Sequence, residues 1–359
     1  MLMTNTPLAP QIAPCVSVVV VTYNSVPFLH RLLGALAAQT FTDFETVIYD
    51  NASADDTAAI VSSAALPVTF IRSETNNGYA RGNNAAVAHC RGKYLAFINP
   101  DTDPDSAWLG ALVNTLDTDT TVGLATSRVV LDTDRQTVNA CGNDVHLAGF
   151  ATCRGLNQPV SVYTDAADVA SVSGAAFIAR RDLFTRLGGF DASFFMYVED
   201  TDLSWRVWLT GLRCRYVPES VVAHRYALTV NAGKLFYLER NRLQMLWKCY
   251  SGRTLVVLSP VLLVGEILTW AYALLHGPEY LRAKGQSVYW LWVHRADLWA
   301  RRHATQANRV VSDWLLLTQM GTHLPLAMVQ PGVIARIGAR STGAFFALFR
   351  QAALMVNGI

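Results

Sequence analysis

Residues 93–105 read KYLAFINPDTDPD, and this stretch decides the fold. Its first part, 93–98, is an apolar run with the character of a buried strand. Its second part, Asn99-Pro100-Asp101-Thr102-Asp103, turns polar and acidic at once. In an α/β sheet, ligands bind just beyond the carboxyl ends of the strands. In extended chain Asp101 and Asp103 point to the same side, with Cα atoms about 6.5 Å apart. Two carboxylates that close repel each other unless a cation lies between them. Oxygen donors of this kind select Mg2+ or Mn2+. The plainer reading of DTDPD is a polar turn and helix cap, with Pro104 in the first turn.

Working upstream, strand and helix signals alternate. Residues 16–22 (VSVVVVT) form a β-branched run ending in Thr22-Tyr23-Asn24. A helical pattern follows, with Phe28, Leu29, Leu32, Leu33 and Leu36 on one face. Residues 44–49 (FETVIY) predict a second strand that ends in Asp50-Asn51, and 67–71 a third. Tyr79 to Cys90 reads as a helix closed by Gly92. This βαβαβ rhythm implies a parallel sheet. Asp50, at a strand end, suits the N–H of a uracil or thymine ring and ribose hydroxyls, or equally the cap of the next helix. In the segment Asn76 to Asn84, Gly78 and Gly82 permit close backbone approach and Arg81 suits phosphate. The segment is neither GxGxxG nor GxxxxGK[ST], which argues against a dehydrogenase or P-loop kinase.

Downstream, residues 121–131 and 169–179 are strand-like, and 141–159 reads as loop or hairpin. Gly188-Gly189-Phe190-Asp191 marks a turn. Glu199-Asp200 then opens a helix that stops at Gly211, and a strand at 213–217 leads to Pro218 and His224. An ionised Asp200 at a helix N-terminus suits a general base, although acidic capping explains it as well. A lone His224 is more often structural than a metal ligand.

The last third is helical and apolar. Residues 254–276 are about long enough to span a bilayer, but Pro260 and Glu266 fit an in-plane or re-entrant hairpin at least as well. Residues 342–356 read as a further amphipathic segment. The whole chain of 359 residues is 52% hydrophobic and only 16% charged, with a mean hydropathy of +0.23. Between 231 and 310 there are eleven Lys or Arg and four acids, net +7. The remainder is therefore −5. A basic, apolar rear suits an anionic membrane surface. The six cysteines lack zinc or CxxC spacing and read as isolated thiols. The stretch before Val16 lacks the pattern of a signal peptide, so the catalytic part is expected in the cytoplasm.

Taken in order, these pieces resemble glycosyltransferase family 2, close to its bacterial rhamnosyltransferase and galactofuranosyltransferase branch. The pieces are Thr22-Tyr23-Asn24, Asp50-Asn51-Ala52-Ser53, 76–84, 99–103, Ser173-Gly174-Ala175, 188–191 and Phe195 to Asp202. The resemblance implies an α/β fold of GT-A type, a Rossmann-like, mostly parallel sheet flanked by helices. Residues 15–230 would be catalytic, with 15–120 binding the nucleotide sugar and 121–230 the acceptor. Residues 1–14 would be a tail and 231–359 a helical, membrane-associated region. Asp200 is implied as the general base. Thr22, Asn24, Asp50, Asn51, Asn77, Gly78, Arg81, Asn84, Asp101, Gly174 and Glu199 would bind the nucleotide sugar, and Arg240-Asn241 would touch its diphosphate. Asp101, Asp103 and His224 would hold the Mg2+ or Mn2+. The implied donor is a dTDP- or UDP-sugar, rhamnose-like or galactofuranose-like. The implied acceptor is a lipid-linked glycan at the cytoplasmic face of the inner or plasma membrane, with no nucleic acid partner. No QxxRW motif follows Asp200, which implies single rather than processive addition. The competing readings are a catalytically silent glycan-binding scaffold and a sugar nucleotidyltransferase. The latter lacks its Gly-rich basic loop at Thr22-Tyr23-Asn24-Ser25.

Overall fold

The structure is a computed structural model that describes residues 13–226, 229–324 and 333–358. Its first part is the anticipated alternation: β1 (Val16–Thr22), α1 (Val26–Ala37), β2 (Phe44–Asp50), α2 (Thr57–Ser62), β3 (Val68–Arg72), α3 (Gly78–Val87) and β4 (Tyr94–Ile98). The four strands pair in parallel in the order β4-β1-β2-β3. β1 is buried at every position, as a strand covered on both faces must be. Leu29, Leu32, Leu33 and Leu36 of α1 pack beneath it.

The sheet then becomes mixed. Next come β5 (Thr102–Pro104), α4 (Trp108–Thr118), β6 (Val122–Leu131), β7 (Asp134–Ala140), β8 (Asn143–Val145), β9 (Ala151–Cys153), β10 (Ala167–Asp168), β11 (Ala176–Arg180), α5 (Arg181–Arg186), α6 (Glu199–Trp208) and β12 (Arg213–His224). β11 lies antiparallel between β4 and β6 and extends the sheet to β12 and β10. β12 continues past residue 217, where the sequence pattern stops. Its register against β6 shifts between Val217 and Val221, and Pro218, which has no N–H to give, sits in that irregularity. The far end of β12 pairs with β5, setting His224 opposite Thr102. All six cysteines are unpaired.

Helices follow: α7 (Ala232–Cys249), α8 (Gly252–Val257), α9 (Ser259–His276), α10 (Pro278–Val293), α11 (Arg295–Ala307), α12 (Asp313–Thr318) and α13 (Val333–Asn357). They share one apolar core with the sheet, running from Phe97 and Phe190 through Met245 to Leu316 and Phe346. Three buried charges and the half-buried Glu266 fasten α7, α9 and α10 together. Arg242 on α7 pairs with Glu239 at 2.7 Å and with Glu266 of α9, and Lys284 of α10 pairs with the same two acids. Lys284 is fully buried. Burial works against ionisation of Glu239, but Arg242 and Lys284 overcome it and hold its carboxyl down at about 2. Glu266, the charge that disrupts the apolar run 254–276, is thus an inward-facing lock.

Candidate active site

Strand ends supply the first residues. Register places Thr22 beside Asp50, and the Thr22 hydroxyl donates to Asp50 Oδ1 at 2.9 Å. The Ser53 N–H and hydroxyl donate to the same carboxylate, and Arg72 lies 3.6 Å away. Asp50 is not a helix cap, since α2 begins at Thr57 with Asp56 before it. Asn24 adopts φ +50°, and its Oδ1 accepts from the Ala54 N–H at 2.8 Å.

The Asn/Gly segment is largely occupied by the protein itself. Asn51 donates to the Gly78 carbonyl and accepts from the Asn77 N–H, tying β2 to α3. Asn77 donates to Ser73 Oγ at 2.8 Å. Gly78 has φ +77°, and a Cβ there would stand 2.3 Å from the Phe195 carbonyl oxygen. That carbonyl accepts from the Tyr79 N–H at 2.7 Å. Arg81 is exposed and donates to the Ala192 carbonyl. Asn84 brackets Phe190, donating to its carbonyl and accepting its N–H. These contacts hold the loop 190–195 against α3, a role the sequence did not reveal.

The three residues expected to share a cation do not converge. His224 Nε2 lies 3.5 Å from Asp101 Oδ1. Asp103 instead pairs with Arg31 at 2.8 Å and with Arg135, while Arg31 also reaches Asp132. Among the described residues there is no cluster of three or more His, Cys, Asp or Glu suited to a metal. The departure has a physical cause. Arg31 on α1 and Arg135 on β7 are distant in sequence, and the fold brings both to the second carboxylate. Asp101 and His224 nevertheless fit a cation. His224 Nδ1 lies 2.8 Å from Asn139 Oδ1, which can only accept. With Nδ1–H given to Asn139, Nε2 is the ring nitrogen that faces Asp101. Two acceptors facing each other suit a shared cation, with Asn139 orienting the imidazole from behind.

Glu199 and Asp200 open α6 after an unusual turn. Tyr197 and Val198 adopt φ of +69° and +70°, conformations that bulky and β-branched residues rarely hold. Asn241 of α7, fully buried, donates from Nδ2 to the carbonyls of both Met196 and Tyr197 at 2.9 and 2.8 Å. Arg240 donates to Asn241 Oδ1 and to the Ser193 carbonyl. The pair expected to touch a diphosphate therefore supports the turn beneath Asp200.

Asp200 Oδ2 accepts from the Gly174 N–H at 2.9 Å and from Asn143 Nδ2 at 3.2 Å, and Oδ1 accepts from the Thr201 N–H at 2.7 Å. Burial pushes its carboxyl above the usual range against the pull of these donors. A Cβ on Gly174 would stand 3.2 Å from Asp200 Oδ2 and crowd that carboxylate. Glu199 is buried, with Oε2 unpartnered. Burial and the Asp200 charge push its carboxyl well above the ordinary range. Tyr79 donates to the Gly174 carbonyl at 3.0 Å. Burial, then Glu199 and Asp200, with a smaller push from Asp101, raise its phenol. Tyr79 thus ties α3 to the Gly174 backbone beside Asp200. Asn143, Asn139, Arg31 and Arg135 carry no local motif, and only the fold reveals them, as it reveals the supporting role of Asn241.

Residues 17–184 match the family described as Glycosyl transferase family 2, and residues 101–292 match Glycosyl transferase family group 2. The chain is 27% identical over 233 residues to the N-acetylglucosaminyl-diphospho-decaprenol L-rhamnosyltransferase of Mycobacterium tuberculosis, covering 58% of this chain and 76% of that one. It is 27% identical over 230 residues to the pre-mycofactocin glycosyltransferase of the same organism, covering 62% of this chain and 46% of that protein. The match thus spans about half the length of that relative. A solved structure of the mannosyltransferase PcManGT from Pyrobaculum calidifontis, in complex with GDP-Man and Mn2+, is similar in fold. Its TM-score is 0.50 and its identity 20%, covering 97% of this chain and 87% of that one.

Proposed function

Because this chain belongs to glycosyl transferase family 2, with a GT-A fold and rhamnosyltransferase-like relatives, we propose that it inverts the anomeric centre of a nucleotide-diphosphate sugar while transferring the sugar to a lipid-linked glycan. The donor is a dTDP- or UDP-sugar, rhamnose-like or galactofuranose-like, and the setting is the cytoplasmic face of a membrane. The observation that carries the reading is the presentation of Asp200 at the strained start of α6. Its carboxylate is fixed by Gly174, Asn143 and Thr201, and both it and Asp101 act on the phenol of Tyr79, the residue that ties α3 to Gly174. The named lipid-linked substrate of the mycobacterial relative supports the acceptor class.

Asp101 and His224 would hold the Mg2+ or Mn2+, and Asp103 joins them only by leaving Arg31 and Arg135. When bound there, the cation supplies positive charge for the diphosphate as it departs. Asp200 takes the proton of the acceptor hydroxyl as its oxygen bonds to the anomeric carbon and the bond to the diphosphate breaks. Its raised carboxyl makes it a better base than a solvated aspartate. Asp50 and Thr22 face the nucleoside, Asp50 with one lone pair of Oδ2 left for a ring N–H. Glu199 meets the donor sugar through its Oε2, the carboxyl oxygen that has no protein partner. Gly78 and Arg81 flank the donor side, and Asn51, Asn77 and Asn84 keep that wall in place.

The test is Asp200→Asn, assayed against a panel of UDP-, dTDP- and GDP-sugars. Transfer should vanish while nucleotide-sugar binding persists. Near-normal turnover, or loss of binding in a folded protein, rejects the base assignment.

A further inference from the structure

Large apolar side chains are exposed very unevenly along this chain. Among the described residues before 251, only Tyr23 and Val162 are such positions, whereas sixteen lie between Val256 and Val356. They concentrate on consecutive helices. α9 buries Val261, Gly265, Thr269 and Ala273 and turns Leu263, Ile267, Trp270 and Leu274 outward. α10 buries Ala283, Lys284 and Ser287 and exposes Val288, Tyr289, Trp292 and Val293. α11 adds Trp299.

α9 is the one helix among the described residues long and apolar enough to cross a membrane. Its inner face is committed elsewhere. A Cβ on Gly265 would stand 3.1 Å from the Ala148 side chain, so helix and sheet domain are in close contact. Glu266 is locked to Arg242 and Lys284, and Arg242 also donates to the Ala148 carbonyl. Crossing a bilayer would carry this charge quartet into hydrocarbon or break it, and either costs several kcal/mol.

We propose that the outer faces of α9, α10 and α11 form one docking surface that lies in the plane of an anionic bilayer without crossing it. Exposed Trp270, Tyr289, Trp292 and Trp299 are rings of the kind that settle at the headgroup boundary. Arg253, Arg282 and Arg295 are exposed and have no carboxylate partner among the described residues; Arg295 lies over the Trp292 ring and donates to its carbonyl, so cation and ring sit together at the proposed headgroup level. An apolar face bordered by cations without carboxylate partners is complementary to an acidic interface rather than to a neutral one. The inference deepens, and for its purpose rests on, the reading of a lipid-linked acceptor, because α7 joins these helices through Glu239 and Lys284 to the turn before Asp200 that it holds through Asn241.

The experiment is flotation of the full chain with phosphatidylcholine vesicles, with and without phosphatidylglycerol, followed by carbonate extraction. Binding should require the anionic lipid, weaken with salt, and be reversed by carbonate. Leu274→Glu and Trp292→Glu, at positions 66% and 64% exposed, should each reduce vesicle partitioning at least tenfold without changing the melting temperature. Carbonate-resistant protein would show a span and overturn the proposal. So would variants that partition like the parent, or a dimer that dissociates in both variants while no form binds vesicles. Nucleotide-sugar binding measured on the same preparations separates the two readings. Its presence with failed flotation rejects only the docking surface, and its absence with successful flotation rejects only the transferase assignment.

Discussion

Asn241 offers the sharpest test of how this site is built. Its amide satisfies two carbonyls of a turn in which Tyr197 and Val198 both hold positive φ. Asn241→Asp keeps shape but replaces the donor with an acceptor facing both oxygens. Losing two buried hydrogen bonds and leaving two carbonyls unsatisfied costs about 2–4 kcal/mol. Backbone strain at the two residues, about 1–3 kcal/mol each, then drives the turn to relax. A domain with the usual 5–15 kcal/mol of stability survives the loss at 25 °C but with a lowered melting temperature. Asp200 follows the turn by two residues, and a displacement of about 1 Å at a reacting group costs on the order of a hundredfold in rate. The expected result is a fall in kcat of about that size, with the nucleotide-sugar Kd unchanged, measured by radiolabel transfer and by calorimetric binding. Had Asn241 instead contacted the diphosphate, Kd would weaken and kcat at saturation would hold. That second pattern, or a folded Asn241→Asp protein with parental kcat, refutes the positioning role.

Removing the Asn143 donor with Asn143→Ala leaves the Asp200 carboxylate less stabilised, raising its pKa further. The acidic limb of the kcat–pH profile should move to higher pH, and an unmoved limb would dissociate Asn143 from the base. Asn139→Ala, which frees the His224 ring, should weaken Mn2+ affinity about 10- to 100-fold by electron paramagnetic resonance titration. Conversely, the double variant Arg31→Gln/Arg135→Gln should tighten Mn2+ binding without nucleotide, because Asp103 is released. Glu239 lies at about 2 in the folded state against 4.5 when unfolded, so its ion pairs stabilise the protein fully above about pH 4.5. That contribution, about 3 kcal/mol, is lost as the pH falls toward 2. Denaturant titrations at pH 7 and 3 should show the loss in the parent protein and a much smaller change in Glu239→Gln.

Local pattern was enough for the parallel strands β1 to β4. Each is a short apolar run with a polar residue at its end, and that information lies within a few residues of chain. Asp50, Asp101, Glu199 and Asp200 were visible for the same reason: acids at element ends stand out against apolar neighbours. Glu266 also declared itself as an anomaly in an apolar helix. Its partners did not, since Arg242 and Lys284 look like ordinary helix-surface cations until three helices close around them.

The sequence by itself thus determined the α/β alternation, the acids at its carboxyl edge and the apolar, basic rear. These depend on spacing along one strand or helix. Tertiary structure alone decided how the acids are paired. Arg31 and Arg135 reach Asp103 from α1 and β7, Asn139 sets the ring of His224, and Asn241 spans from α7 to the turn before Asp200. Such contacts join residues tens of positions apart. Hydrogen bonds and ion pairs depend on distance and direction in space, for which sequence separation carries no signal.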